Sequence, residues 1–114
     1  MILDFETWLI YTGAVVLQKL NDEGAGSLGP AESGVHWMWW IDYAVRNSGS
    51  FGPLQDMKST AISDLLAFSK RAGLPKLEAW LNSAADESTF CQSYLEHFDE
   101  ACGELRDVYC ADAR

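Results

Sequence analysis

The chain has 114 residues, 48% of them hydrophobic, and its 17 acidic residues outnumber 8 basic ones to give a net charge of −9. That length makes one domain with its own core, and five tryptophans exclude intrinsic disorder despite the charge. The acidic balance disfavours direct contact with nucleic acid or an anionic membrane; it leaves either a cationic partner or simple solubility as its reason.

Asp4 has the side chain of a helix N-cap. After it Phe5, Trp8, Leu9, Ala14 or Val15, Val16 and Leu20 recur at helical spacing, which predicts a first helix ending at Asn21 or Asp22. Gly13 within it marks either a close helix contact or a tolerated glycine. Asp4 and Glu6 stand where a signal peptide needs positive charge, and the longest uncharged run there is too short for a bilayer, so a cytoplasmic, untethered protein is expected. Residues 23–34 collect glycine, serine and Pro30 and read as an exposed loop.

A second helix is expected to begin between Ala31 and Val35 and to stop at Asn47-Ser48-Gly49, where asparagine and glycine tolerate a left-handed backbone. Trp37, Ile41, Ala44 and Val45 share one of its faces, Met38 and Trp39 widen that face, and Trp40 lies nearly opposite Met38. A helix apolar on most sides is a central one, so Trp37 and Ile41 are expected in the core, together with Phe98 and Leu105 of the last helix. His36 and Asp42 are six residues apart, which puts them on different faces and rules them out as an acid–base pair.

After Pro53, the run Leu54, Met57, Ala61, Ile62, Leu65, Leu66, Phe68 predicts a third helix that stops at Ala72-Gly73. Pro75 opens a short fourth helix with Leu77, Trp80 and Leu81 inward. Lys58, Lys70, Arg71 and Lys76 place half of the basic residues in this middle region. In the last segment, capped by Asp86 or Ser88, Cys91, Leu95, Phe98, Cys102, Leu105 and Tyr109 alternate in steps of four and three, the spacing of a helix–helix seam, and Gly103 admits a neighbour. Its outer side carries Glu96, Asp99, Glu100, Glu104 and Asp107, relieved only by Arg106. Such a stripe is either a solvated face or a surface that meets a basic partner.

No alternating strand pattern appears, and the fold expected is all-α: a single compact domain, residues 1–114, of roughly five helices with a central Trp-rich helix and a long acidic C-terminal helix. Cys91, Cys102 and Cys110 form no Cys-x-x-Cys pair, and only His36 and His97 are available to join them, so neither metal nor cofactor is expected. On one continuous helix Cys91 and Cys102 would lie about 16 Å apart, too far for a disulfide, and reduced thiols are expected. His97 neighbours Glu96 and Asp99 at spacings that point side chains apart, and no catalytic residue is assigned.

The turn Val45-Arg46-Asn47-Ser48-Gly49-Ser50-Phe51, the apolar helix Ala61 to Leu74, and the acidic helix from Leu95-Glu96-His97-Phe98-Asp99 through Tyr109 resemble the small acidic bacterial DNA-mimic family over about residues 28–110. Ser48 stands where that family has its first glycine, and Ser50 is inserted before the aromatic. The resemblance implies carboxylates displayed in imitation of DNA phosphates, with Glu96, Asp99, Glu100, Glu104 and Asp107 as the partner-binding residues. Their target would be the basic surface of a DNA-binding regulator or, for an immunity-type inhibitor, of a nuclease toxin. Carboxylates at i, i+4 are about 6 Å apart against one DNA charge per about 1.7 Å, so faithful mimicry needs a second stripe or a homodimer. The alternative class is a non-catalytic structural subunit whose tryptophan-rich faces build a homo-oligomer.

Overall fold

The computed structural model describes residues 4–112, for Ala25 the backbone alone. Asp4 starts helix α1 (Phe5–Glu23) as an N-cap, its carboxylate accepting the Thr7 N–H at 2.7 Å. A 3-10 turn (Ala25–Ser27) leads to α2 (Pro30–Ser48), which begins earlier than the loop reading of residues 23–34 allowed. Pro30 has no N–H to lose at the first position, and Glu32 folds back to accept the Gly29 N–H at 2.9 Å, which fixes the start of the helix. Lys19 of α1 pairs with the same carboxylate at 2.9 Å. At its far end α2 stops as expected: Gly49 takes φ +64° and its N–H donates to the Val45 carbonyl.

Among the described residues seven α-helices replace the five expected, because two continuous apolar patterns are each interrupted. The stretch after Pro53 forms α3 (Gly52–Met57) and α4 (Ala61–Ala72), separated by Lys58, Ser59 and Thr60. The break lets Leu54 and Ala61 both bury while Met57 swings out to 62% exposure. Next come α5 (Pro75–Asn82) with a 3-10 turn at Ser83–Ala85, then α6 (Glu87–Gln92), capped by Asp86 accepting the Thr89 N–H at 3.1 Å. A second break at Ser93 separates α6 from α7 (Tyr94–Asp112); the Ser93 hydroxyl donates back to the Thr89 carbonyl at 2.8 Å and competes with helix continuation.

That break corrects the expected seam. Tyr94, Phe98, Ala101, Cys102 and Leu105 line the buried side of α7, Leu95 is 66% exposed, and Cys91 and Tyr109 are half-buried. Restarting the helix at Tyr94 changes the phase relative to Cys91, and Phe90 and Tyr94 become the inward residues.

The central element is α2, packed against α1, α3, α4 and α7, while α5 closes the bundle against α4 and α7. Its buried residues include Val35, Met38, Ile41, Ala44 and Val45, whereas Trp37 is only half-buried, contrary to its expected place in the core. Ile41, Phe98 and Leu105 are core as expected. The α5–α7 side is an aromatic ladder: Trp80 lies 4.9 Å from Phe90, 5.0 Å from Tyr94 and 6.2 Å from Phe98, ring centre to ring centre.

Gly13 is a close helix contact: a Cβ there would stand 2.2 Å from Cδ1 of Trp39, so α1 rests directly on that indole. Gly13→Ala is expected to lower stability by about 1–2 kcal/mol net, overpacking outweighing the better helix propensity of alanine. A urea midpoint equal to or above that of the parent protein would show that the indole yields freely.

Candidate protein-interaction surface

With about 100° between successive residues, Glu96, Asp99, Glu100 and Asp107 lie on the side of α7 away from its seam, and all four are exposed. Glu104 turns instead toward α5. Its Oε1 accepts the Leu77 N–H at 2.7 Å, in the first turn of a helix whose initial N–H groups have no partners of their own. Glu104 is half-buried and caps α5 from another helix; it is not part of the free face, and its reversal to lysine would not leave folding untouched. Glu100 meets Lys76 at 3.3 Å, which places one of the middle-region cations beside the acidic face. Asp86 caps α6 and Glu87 accepts the Phe51 N–H at 3.1 Å. The late crowding of acids along the chain is thus in part a set of backbone caps.

A second group of charges is internal. The Asp42 carboxylate, almost wholly buried, accepts the Tyr94 hydroxyl at 2.7 Å and Arg46 Nε at 2.6 Å. The Arg46 guanidinium lies over the Phe98 ring, 4.8 Å from its centre, and reaches Glu6 at 3.6 Å. Burial, then the Asp42 charge, holds the Tyr94 phenol well above its ordinary value of 10.0. The hydroxyl and the carboxylate bond each other across 52 residues, and the cluster ties α2 to α7. The i, i+4 spacing of Asp42 and Arg46 is visible along the chain, but Tyr94 lies 52 residues from Asp42 and no sequence signal joins them.

His36 is buried, edge-on to Trp40 at 6.5 Å, and its Nδ1 has no hydrogen-bond partner among the described residues. It makes no pair with Asp42, as the spacing required. Burial, then the Lys58 charge, holds the imidazole below its ordinary value of 6.5. The folded state therefore binds fewer protons than the unfolded chain, and the stability this contributes is complete above 6.5 and lost as pH falls through the folded value. Urea midpoints are expected to fall from about pH 7.5 to 5, and His36→Phe to flatten that decline; identical profiles for the two proteins would remove His36 as its cause.

The three cysteines are free. Burial, then the Asp42 charge, pushes the Cys102 thiol up to about 12, while Cys110 is exposed and Cys91 half-buried. Among the described residues no three His, Cys, Asp or Glu side chains converge as metal ligands would, and no helix is long and apolar enough to cross a membrane.

The outer side of α2 holds a group of rings, of which the periodicity assigned Trp39 to the inward face. Trp39 and Tyr43 stack with centroids 5.7 Å apart, and Trp40 meets them edge-on at 5.1 and 5.9 Å. Together with Pro53, Asp56 and Met57 of α3 they line an open groove of about 500 Å³. On the α1 side Ile10 and Glu6 border the same rings. An aromatic count locates such rings on α2; whether α1 and α3 close over them is decided by packing alone. No known protein family, curated protein or solved structure matches the chain.

Proposed function

We propose that this protein is an acidic, non-catalytic binding module that occupies the basic surface of a partner protein in the cytoplasm. The carrying observation is the exposure of Glu96, Asp99, Glu100 and Asp107 along one side of α7 in a chain of net charge −9. The resemblance to small acidic DNA-mimic proteins supports the same reading and names two kinds of partner, a DNA-binding regulator or a nuclease toxin. Both present a groove that binds phosphates, and both would be blocked by the same carboxylates. Three free thiols are consistent with a reducing compartment. The alternative, a structural subunit of a homo-oligomer, is favoured by the aromatic surface on α2.

The test uses Glu96→Lys with Asp99→Lys, which spares the Glu104 cap and the Glu100–Lys76 pair. Circular dichroism should be unchanged. Association with a basic protein captured at low salt should slow by about tenfold or more, and the complex should weaken steeply as the Debye length shrinks from about 10 Å at 0.1 M to about 3 Å at 1 M. Duplex DNA should displace the captured protein. A complex indifferent to the double reversal, to salt and to DNA would assign the acidic face to solvation.

A further inference from the structure

We propose that the groove between α2 and α3, floored by Trp39, Trp40 and Tyr43, binds an arginine-bearing apolar segment of a cationic protein, with Asp56 as the carboxylate that receives the guanidinium. The charge of the occupant rests on the reading of this protein as a binder of basic proteins; the groove itself stands on its own geometry.

Three observations carry it. First, the apolar side chains around the rings are uncovered: Tyr43 is 44% and Met57 62% exposed on two helices that face this groove, and Ile10, 49% exposed on α1, lines a neighbouring hollow that shares Trp39 and Tyr43. Large apolar and aromatic side chains gathered in this way are the composition of interface anchors. Second, the floor is held in place before anything binds. Trp39 is seated on Gly13, where no Cβ keeps it off, and it stacks on Tyr43 with 12° between the ring planes. A floor already ordered costs little conformational entropy on binding.

Third, the charge at the groove has one sign. Asp56 is exposed and has no hydrogen-bond or ion-pair partner among the described residues, and no lysine or arginine lines its part of the groove. Arg46, on the α1 side, is already committed to Asp42 and Glu6. A planar guanidinium suits both features, because it stacks on indole and phenol faces and presents paired N–H donors to a carboxylate. A second copy of this chain fits poorly, since it would bring a further net charge of −9 to a rim whose unpaired charge is already negative.

The probe is an acetylated, amidated hexapeptide of leucine, proline and arginine, compared with the same peptide carrying citrulline for arginine, titrated calorimetrically at fixed ionic strength. The arginine peptide should bind with Kd below about 1 mM and about tenfold or more tighter than its neutral counterpart. Asp56→Asn should erase that difference. Tyr43→Ser and Met57→Ser, both at exposed positions, should each weaken binding by about fivefold or more with unchanged circular dichroism. Glu96→Lys with Asp99→Lys should change it by less than about twofold at high salt.

Equal binding of the two peptides, or no binding of either, overturns the proposal. Loss of binding with the α7 reversals but not with the groove variants also overturns it, and leaves the acidic face as the partner surface. Sedimentation showing a dimer that Tyr43→Ser dissociates would assign the groove to a second copy instead. Binding that obeys the groove variants while no basic protein answers to the α7 reversals would keep this site and reject the acidic-face reading.

Discussion

Phe98→Ala is expected to lower the unfolding free energy by about 3–5 kcal/mol, a large share of what a domain of this size has. Phe98 is 2% exposed and faces Tyr94 at 5.6 Å and Trp80 at 6.2 Å. Its removal opens a cavity inside the aromatic ladder, where helices α5 and α7 are already fixed by their own contacts and cannot simply collapse. It also strips the Arg46 guanidinium of the ring beneath it. Trp37→Ala deletes a larger side chain but should cost less, about 1–2 kcal/mol, because that indole sits at the edge of the core and is partly in water already. Urea midpoints of the two variants provide the comparison, and a greater loss for Trp37→Ala would mean that the core lies elsewhere on α2.

The second large effect is expected at Asp42. Asp42→Ala leaves the Tyr94 hydroxyl without its acceptor and the Arg46 guanidinium without its nearest counter-charge, at a cost of about 2–4 kcal/mol. The lower end is favoured because the Arg46 side chain is 25% exposed and Glu6 at 3.6 Å takes up part of its charge. Asp42→Asn should cost less, since an amide oxygen still accepts from the phenol. Tyr94→Phe alone should cost about 1 kcal/mol, and the double mutant should fall short of the sum of the singles by about 1 kcal/mol or more. Strict additivity would mean that the hydroxyl and the carboxylate do not bond, and that α2 and α7 are joined by packing alone.

Much of the fold was legible wherever the cause is local. Asp4, Gly49, Gly73 and Pro75 act within one turn of their own position, and each helix boundary they announce is present. The two helix breaks were not legible, because apolar spacing runs on through Lys58–Thr60 and through Ser93 without interruption. Each break lets two flanking segments bury different faces, a gain that exists only after α2 and α5 are in place. The acidic stripe was legible as a pattern in four of its five members. Glu104 differs because it accepts the Leu77 N–H at the start of α5, an encounter between residues 27 positions apart.

By itself the sequence determined an all-helical chain, the residues that cap and stop most of its helices, a strongly apolar α2, and an acid-rich α7. These depend on 3.6-residue periodicity, on proline and glycine backbone preferences and on charge counts, all of which act over a few residues. Tertiary structure decided which side of α2 is interior. Periodicity put Trp37 inside and widened the face with Met38 and Trp39; Met38 is fully buried as that implies, but Trp37 is only half-buried, and Trp39 and Tyr43 form the floor of an open groove. It also decided which carboxylates are free, by using Asp86, Glu87 and Glu104 for backbone N–H groups and burying Asp42 under Tyr94. The physical reason is common to these cases: a helix apolar on most sides, or charged along a whole stripe, offers several faces of similar free energy, and only the neighbours that pack against it select one.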